Sequence, residues 1–403
     1  MSRLGWTCLI VLGLAACDGS PCEPQQLVDC ASCGPGALRH AVALGRSPAA
    51  LTNRGSAAAI CATCDEVLAL DANSVTTTLA LGDGAKILSA AGAPDGSLYV
   101  IAEGPSSNPA VGTFVALAPD NTIRWSMPIA TPFATDPTRL PLTEVVAGPQ
   151  GPFVLTGENE VYASATAFTV DGAMRWTTSV GGAFVVADST GGLYTALGDF
   201  EGAQAVVQIA RLDAASGAPV ATHTIRAVSS SGSPDVQVGF NAIALAPDGG
   251  LVVCGTTTGG LDFGDLRITT GAARGFVAAF DPSGAAKWAH AVVLESYFDA
   301  IGATADGIVA ATHYQGATLG LPRPDSSDFD LAVMTFDATG MRSAFQIGGA
   351  GGQGTRRGPL VASDGAVWLS IFSEPDGGDG SARLVVGSDV LETGNDYLIE
   401  LAI

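Results

Sequence analysis

Ala244-Leu245-Ala246-Pro247-Asp248-Gly249-Gly250-Leu251-Val252-Val253 is the stretch from which the rest of this 403-residue chain can be read. Two apolar runs flank an Asp-Gly pair. Asp bonds to its own turn backbone and Gly accepts positive φ, so Asp-Gly between apolar runs is the strongest short hairpin signal. The plan recurs as Ala91-Gly92-Ala93-Pro94-Asp95-Gly96-Ser97-Leu98-Tyr99-Val100. It returns as Ala303-Thr304-Ala305-Asp306-Gly307-Ile308-Val309-Ala310 and as Val361-Ala362-Ser363-Asp364-Gly365-Ala366-Val367-Trp368. Weaker copies turn at Gly151 and Gly191. The turn glycines at 96, 151, 191, 249, 307 and 365 are spaced 55, 40, 58, 58 and 58 residues apart. Three equal intervals of this size indicate blades or solenoid units.

A second element follows each hairpin. Its clearest copy is Phe276-Val277-Ala278-Ala279-Phe280-Asp281-Pro282-Ser283-Gly284-Ala285-Ala286-Lys287-Trp288. Others run from Phe114 to Trp125, Ala167 to Trp176, Ile209 to Gly217 and Val333 to Phe345. Each reads as strand, Asp-initiated turn, strand. Trp125, Trp176, Trp288 and Phe345 stand at comparable places, as aromatic wedges between neighbouring sheets. A unit thus supplies four antiparallel strands, the content of one β-propeller blade. The predicted fold is all-β, a propeller of six blades by the 58-residue interval, with seven as the alternative. The last unit ends at Asp396–Ile403 on a third strand, so an N-terminal strand is expected to complete it and remove the open edges. Val67–Leu81 resembles strands three and four of such a unit.

Ala242–Val292, with Gly260-Leu261-Asp262-Phe263-Gly264 between its two elements, resembles the SBBP-type β-propeller repeat of exported bacterial proteins. Two further copies, to about residue 350 and over 355–403, match less closely, and the N-terminal three match weakly. The resemblance implies seven blades and brings no catalytic residues.

The N-terminus reads as an export leader over residues 1–16. Arg3 is the basic region, Leu9–Leu14 is a short apolar run, and Ala15-Ala16 precede Cys17. Leu14-Ala15-Ala16-Cys17 resembles the lipobox of bacterial lipoproteins, which implies fatty-acyl (palmitate-type) chains on Cys17. An ordinary secretory leader is the alternative. Residues 17–64 read as a cysteine-rich neck and 65–403 as the propeller. Cys22, Cys30, Cys33, Cys61 and Cys64 are disulfide candidates, since an exported chain meets oxidising conditions. Cys30-x2-Cys33 with Cys61-x2-Cys64 also has the spacing of a four-thiolate zinc site. Residues 37–60 are Ala-rich, consistent with a short helix.

Composition narrows function. Lys and Arg total 18 against 39 Asp and Glu, for a formal charge of −21, one unit more negative once Arg3 leaves. Such a chain repels phosphate, which argues against nucleic-acid partners. Hydrophobic residues reach 47% and charged ones only 14%, against about 25% in an average domain, so a large core is available and disorder is excluded. The histidines are His40, His223, His290 and His313. None forms a metal pair in sequence, and no nucleophile elbow is present. Asp376-Gly377-Gly378-Asp379-Gly380 falls short of a calcium loop. No cofactor is expected, calcium and zinc being weak alternatives. Ser106-Ser107, Ser229–Ser233 and Pro322-Arg323-Pro324 mark longer loops, where binding residues on a rigid scaffold lie. The expected function is a monomeric, non-enzymatic recognition scaffold. It would be held by its N-terminal lipid at the outer membrane or cell surface, with a protein or glycan ligand. One alternative is an accessory propeller similar to the lipoprotein of the outer-membrane barrel-insertion machine. Another is a quinoprotein-like periplasmic enzyme.

Overall fold

The computed structural model describes residues 25–26, 38–43, 50–54, 57–61, 66–71, 74–80, 87–102, 111–130, 141–158, 161–182, 184–201, 204–228, 238–268, 275–292, 298–304, 307–314, 330–349, 352–355, 358–359, 361–363, 365–374, 383–386, 389–392 and 397–402. The Asp-Gly hairpins pair as their residues require. Leu245 opposes Leu251 across the quoted turn, and Gly92 opposes Leu98 across the copy at Gly96. Turn glycines 96, 151, 191, 249, 307 and 365 all have positive φ.

The strands form seven sheets, each built on four antiparallel strands in meander order. The spacing favoured six. Blades 2 to 7 are the six units with legible turns, over 87–130, 141–182, 184–228, 238–292, 298–348 and 352–402. Blade 1 is the additional sheet, made of Ala50–Arg54, Ala57–Cys61, Glu66–Asp71 and Ser74–Ala80. Its first connection, at 55–56, carries no Asp-Gly, and the stretch was expected to be neck and short helix. Three strands lie inside 37–61 instead: Leu38–Ala43, Ala50–Arg54 and Ala57–Cys61. Alanine's helix preference is weak beside tertiary pairing, and a small side chain suits strands crowded near an axis.

The first strand of each blade packs on that of the next, from Ala50–Arg54 through Ile87–Gly92, Pro141–Gly148, Phe184–Ala187, Val238–Leu245 and Phe298–Thr304 to blade 7 and back to blade 1. Blade 7 draws its second strand from Ala366–Glu374, its third from Tyr397–Ala402 and its fourth from Leu38–Ala43. The closing strand therefore comes from upstream of blade 1. The chain is a closed, seven-bladed β-propeller.

The apolar core lies between blades. Tyr99 and Phe114 of blade 2 meet Val145, Val154 and Phe168 of blade 3. Phe298, Met334 and Phe336 of blade 6 meet Val252, Cys254 and Val277 of blade 5. Val333 and Ile347 of blade 6 meet Leu369, Ile399 and Leu401 of blade 7.

Candidate functional site

Meander order sets two unlike faces. Connections between strands one and two, and between three and four, lie at one end of every blade. Those between strands two and three, and from blade to blade, lie at the other. The first set is short: 93–97, 118–122, 149–150, 169–173, 188–192, 213–218, 246–250, 281–285, 305–306 and 338–339 in blades 2 to 6. The second set includes 103–110, 131–140, 229–237, 258–274, 315–329 and 375–396. We call these the turn face and the loop face.

The turn face spends its polar groups on itself. Asp120 Oδ1 accepts the Thr122 N–H at 3.0 Å and its hydroxyl at 2.6 Å. Asp281 takes Ser283 and Ala285, Asp213 takes Ala215 and Ser216, and Asp337 takes Thr339 in the same manner. The Thr339 hydroxyl, then its backbone N–H, hold the Asp337 carboxyl down at about 2. At Asp188 burial opposes ionisation, and the bonds from Thr190, Gly192 and Arg211 overcome it. The basic residue just before Trp125, Trp176 and Trp288 reaches back to the first turn of its own blade. Lys287 Nζ lies 2.7 Å from Asp248, Arg124 lies 3.8 Å from Asp95, and Arg175 Nη1 donates to Gln150 Oε1 at 2.7 Å. Sequence reasoning missed this pairing, although its signal, Arg124-Trp125, Arg175-Trp176 and Lys287-Trp288, was present.

The expected wedges divide into two positions. Trp125 Nε1 donates to Val170 O at 2.8 Å, and Trp176 Nε1 to Ala214 O at 2.9 Å, each in the second turn of the next blade. Trp288 pairs with Ala279 at the corresponding strand position, but in blade 5 it is His290, two residues on, that reaches the next blade. His290 Nε2 lies 3.1 Å from Asp337 O, a bond that requires the proton on Nε2, and its ring lies 5.1 Å from that of Trp288. His223 of blade 4 takes the equivalent place under Gly284 of blade 5. Phe345 likewise stands two residues beyond the tryptophan position and packs at the boundary of blades 6 and 7.

Toward the loop face, the first strand of blade 6 carries a bulge at Asp299, between the Phe298–Thr312 and Ala300–Ala311 pairs. Asp299 Oδ2 fills the gap, accepting the His313 backbone N–H at 3.1 Å and Nδ1 at 2.7 Å. The pair has the geometry of an imidazole with its orienting carboxylate. Nearby Cys254 is fully buried, and burial, then the Asp299 charge, push its thiol far up, so it stays protonated and inert. Asn241, in the equivalent strand of blade 5, donates to Phe298 O at 2.6 Å and ties the two inner strands together. In blade 3, Val145 packs toward blade 2, so alternation turns Glu144 toward blade 4. Burial raises its carboxyl to about 7. Among the described residues no three His, Cys, Asp or Glu side chains gather as a metal site.

Cys17, Cys22, Cys30, Cys33, Cys64 and the Asp376–Gly380 loop lie outside the described residues. Cys61 ends a strand of blade 1, opposite Ala50 and Val67; its side chain lies outside them.

No protein-family model matches the chain, and no curated protein sequence matches it. Among solved structures it is similar to BamB from Moraxella catarrhalis, with a TM-score of 0.43, 12% identity and coverage of 91% of this chain and 99% of that one. It is similar to a protein of unknown function from Bacteroides caccae, with a TM-score of 0.35, 13% identity and coverage of 67% and 94%. It is also similar to BBS1N, solved in complex with ARL6DN, with a TM-score of 0.39, 11% identity and coverage of 86% and 87%. Likeness at this level decides nothing about activity. The fold stands on the order of the seven sheets.

Proposed function

We propose that the chain is an exported lipoprotein, of the SBBP-repeat kind, whose propeller is a non-enzymatic recognition scaffold at the cell envelope. The observation that carries the recognition role is the contrast between the faces. On the turn face Asp95, Asp120, Asp188, Asp213, Asp248, Asp281 and Asp337 are bonded to N–H groups of that face, whereas the long connections join strand ends at the opposite end of a closed ring. A rigid scaffold with variable connections at one end is the usual setting for a binding surface. The anchoring role rests on the leader and Leu14-Ala15-Ala16-Cys17. Two acyl chains meet the requirement for stable attachment, which one chain does not.

Two measurements test the two halves. Cys17→Ala is expected to move the protein from membrane to soluble fractions, and protease added to intact cells is expected to digest the wild-type chain. Continued membrane retention of the variant would refute lipid anchoring. The soluble Cys17→Ala propeller is expected to bind isolated envelopes, and to lose binding, while staying folded, when 315–329 is replaced by a Gly-Ser linker. Loss of binding through Lys287→Ala on the turn face, with the linker variant unaffected, would move the surface to the other side.

A further inference from the structure

The outer edge of each blade is its fourth strand, and the chain treats these edges unequally. Gly260–Asp262 pairs with the edge of blade 4, Val385 and Val386 with that of blade 6, and Gln25–Gln26 with that of blade 7. In blade 5, Ala286–Val292 has Arg267–Ile268 packed beside it. In blade 2, Ile123–Ala130 is interrupted by Pro128, which has no N–H to offer a further strand. Blade 1 ends on Ser74–Ala80, whose side chains lie outside the described residues. Blade 3 ends on Met174–Gly182, nine residues that pair with Val161–Phe168 on one side and with no described strand on the other.

This edge lacks the usual protections. It holds no proline and no carboxylate, and its one charge, Arg175, is held by Gln150 and the Ala214 carbonyl. Met174, 67% exposed, is the most exposed of the large apolar side chains described. Sheets blunt their long edges with charge, proline or cover, because an edge left open pairs with another chain. Between register shifts beside Arg175 and at Val180-Gly181 the ladder is regular. There Trp176 and Val180 pack on Leu193 and Leu212 of blade 4, while Thr177 and Ser179 are exposed on the other side.

The order of the side chains selects the occupant. Laid antiparallel on itself with a two-fold axis at Thr178, the stretch sets Trp176 opposite Val180 and Thr177 opposite Ser179. Thr178 then faces its own copy. Aromatic against β-branched and hydroxyl against hydroxyl are favourable cross-strand pairs. Beyond them Arg175 meets Gly181 and Met174 meets Gly182, large against small. Charge points the same way. Two chains of net charge −21 repel each other, so copies meet best where carboxylates are absent, and 174–182 holds none. An unrelated extended segment would gain nothing from this symmetry.

We infer that Met174–Gly182 of blade 3 pairs with the same strand of a second copy, joining two four-stranded blades into one continuous sheet across a two-fold axis. Because the paired strands are antiparallel, the turn face of one copy lies beside the loop face of the other. The dimer therefore offers a loop face at each end. The inference stands apart from the lipid anchor.

The contact is smaller than the ~1,600 Å² of a standard interface, so the association is weak. It is read by sedimentation of the Cys17→Ala chain over a wide range of concentration. Dimer is expected to increase with protein and with salt, which screens the repulsion between acidic copies. Thr178→Lys and Thr178→Glu each set like charges opposite one another at the axis. Each is expected to remain monomeric, with an unfolding temperature near that of the wild type, and their equimolar mixture to dimerise. A wild type that stays monomeric leaves the edge to a foreign strand and overturns the dimer. Single variants that dimerise as the wild type does, or a mixture that stays monomeric, overturn the pairing.

Thr178→Cys provides the test if a charged variant does not fold. Residues opposed across an antiparallel pair lie about 4.5–5.5 Å apart at Cα, within reach of a disulfide. Mild oxidation is expected to yield a peptide pair joined at position 178 of both copies. Ser126→Cys, on the edge of blade 2, is expected to yield none. No bond at 178, or an equal yield at 126, overturns the dimer.

Discussion

A methyl group on Gly284 would overlap the imidazole of His223, and the backbone there has φ +86. Gly264 has almost the same φ, +93, with open space around its Cα. Both substitutions to Ala carry the left-handed strain of about 1 kcal/mol, but only the first also breaks the packing of blade 4 on blade 5. Gly264→Ala is expected to lower stability by about 1 kcal/mol, and Gly284→Ala by roughly 2 kcal/mol or more in urea unfolding. Equal losses would show that His223 moves aside freely. Glu144 gives the residue scale a pH signature. Its carboxyl, ordinarily at 4.5, is raised to about 7 by burial. Between those values the folded chain holds a proton that the unfolded chain has released, so this contribution to stability fades as pH rises from about 4.5 to 7 and stays lost above. Glu144→Gln is expected to remove that slope and to gain about 1–3 kcal/mol at pH 8. Asp337, held at about 2, works in the opposite sense, its contribution being lost as pH falls from the ordinary 3.8 toward 2. A variant at Glu144 whose unfolding midpoint keeps the wild-type pH slope would assign that slope to another group.

At the scale of elements, the outer edges of blades 4 and 6 are covered by hairpins from the following blade. Gly260–Asp262 adds to the outer strand of blade 4, with Leu261 opposite Ala227, and Arg267–Ile268 adds outside it. The hairpin is fastened by Leu261, fully buried, and by Phe263, whose ring lies 6.2 Å from Phe276 and 6.0 Å from Phe280. Open edges invite pairing with other chains. Phe263→Ala is expected to cost about 3 kcal/mol and to make 258–274 a site of early proteolysis and the protein prone to association. Unchanged cleavage and a monomeric elution profile would show that the edge is protected without the hairpin. The residues 260–264 were legible as part of a repeat, yet not as an edge cover, because the strand they pair with lies in the preceding blade. The wedges met a similar obstacle. The same register shift between third and fourth strands stands beside Trp125, Trp176 and Trp288, so the local pattern does not tell whether the tryptophan or the residue two places on bonds to the next blade. Asp-Gly turns were legible because their chemistry is local. The first two strands of blade 1 were not, since the connection at 55–56 has no Asp and Ala57–Cys61 is alanine-rich.

For the whole molecule, closure decides whether seven weakly individual sheets behave as one body. Each blade buries its apolar residues against its neighbours, so the ring has no independent core to fall back on. The closing strand pairs Leu38 with Leu401 and Ala43 with Tyr397, joining the two ends of the chain in one sheet. It could be anticipated from the missing fourth strand at the C-terminus, but its address could not, because the apolar pattern of 67–81 offered a more obvious strand pair. That pair turned out to complete blade 1. Two truncations separate anchor from clasp. A chain starting at residue 25 keeps the closing strand and is expected to unfold at the wild-type temperature. A chain starting at residue 44 leaves Tyr397–Ala402 as an unpaired edge and removes the link between blade 7 and the N-terminal strands. It is expected to lose several kcal/mol, roughly the scale of a deleted core element, to broaden in calorimetry as blades separate, and to aggregate through the exposed strand. A second truncation with the same sharp transition as the first would mean that side-chain packing between blades 7 and 1 holds the ring without a shared sheet.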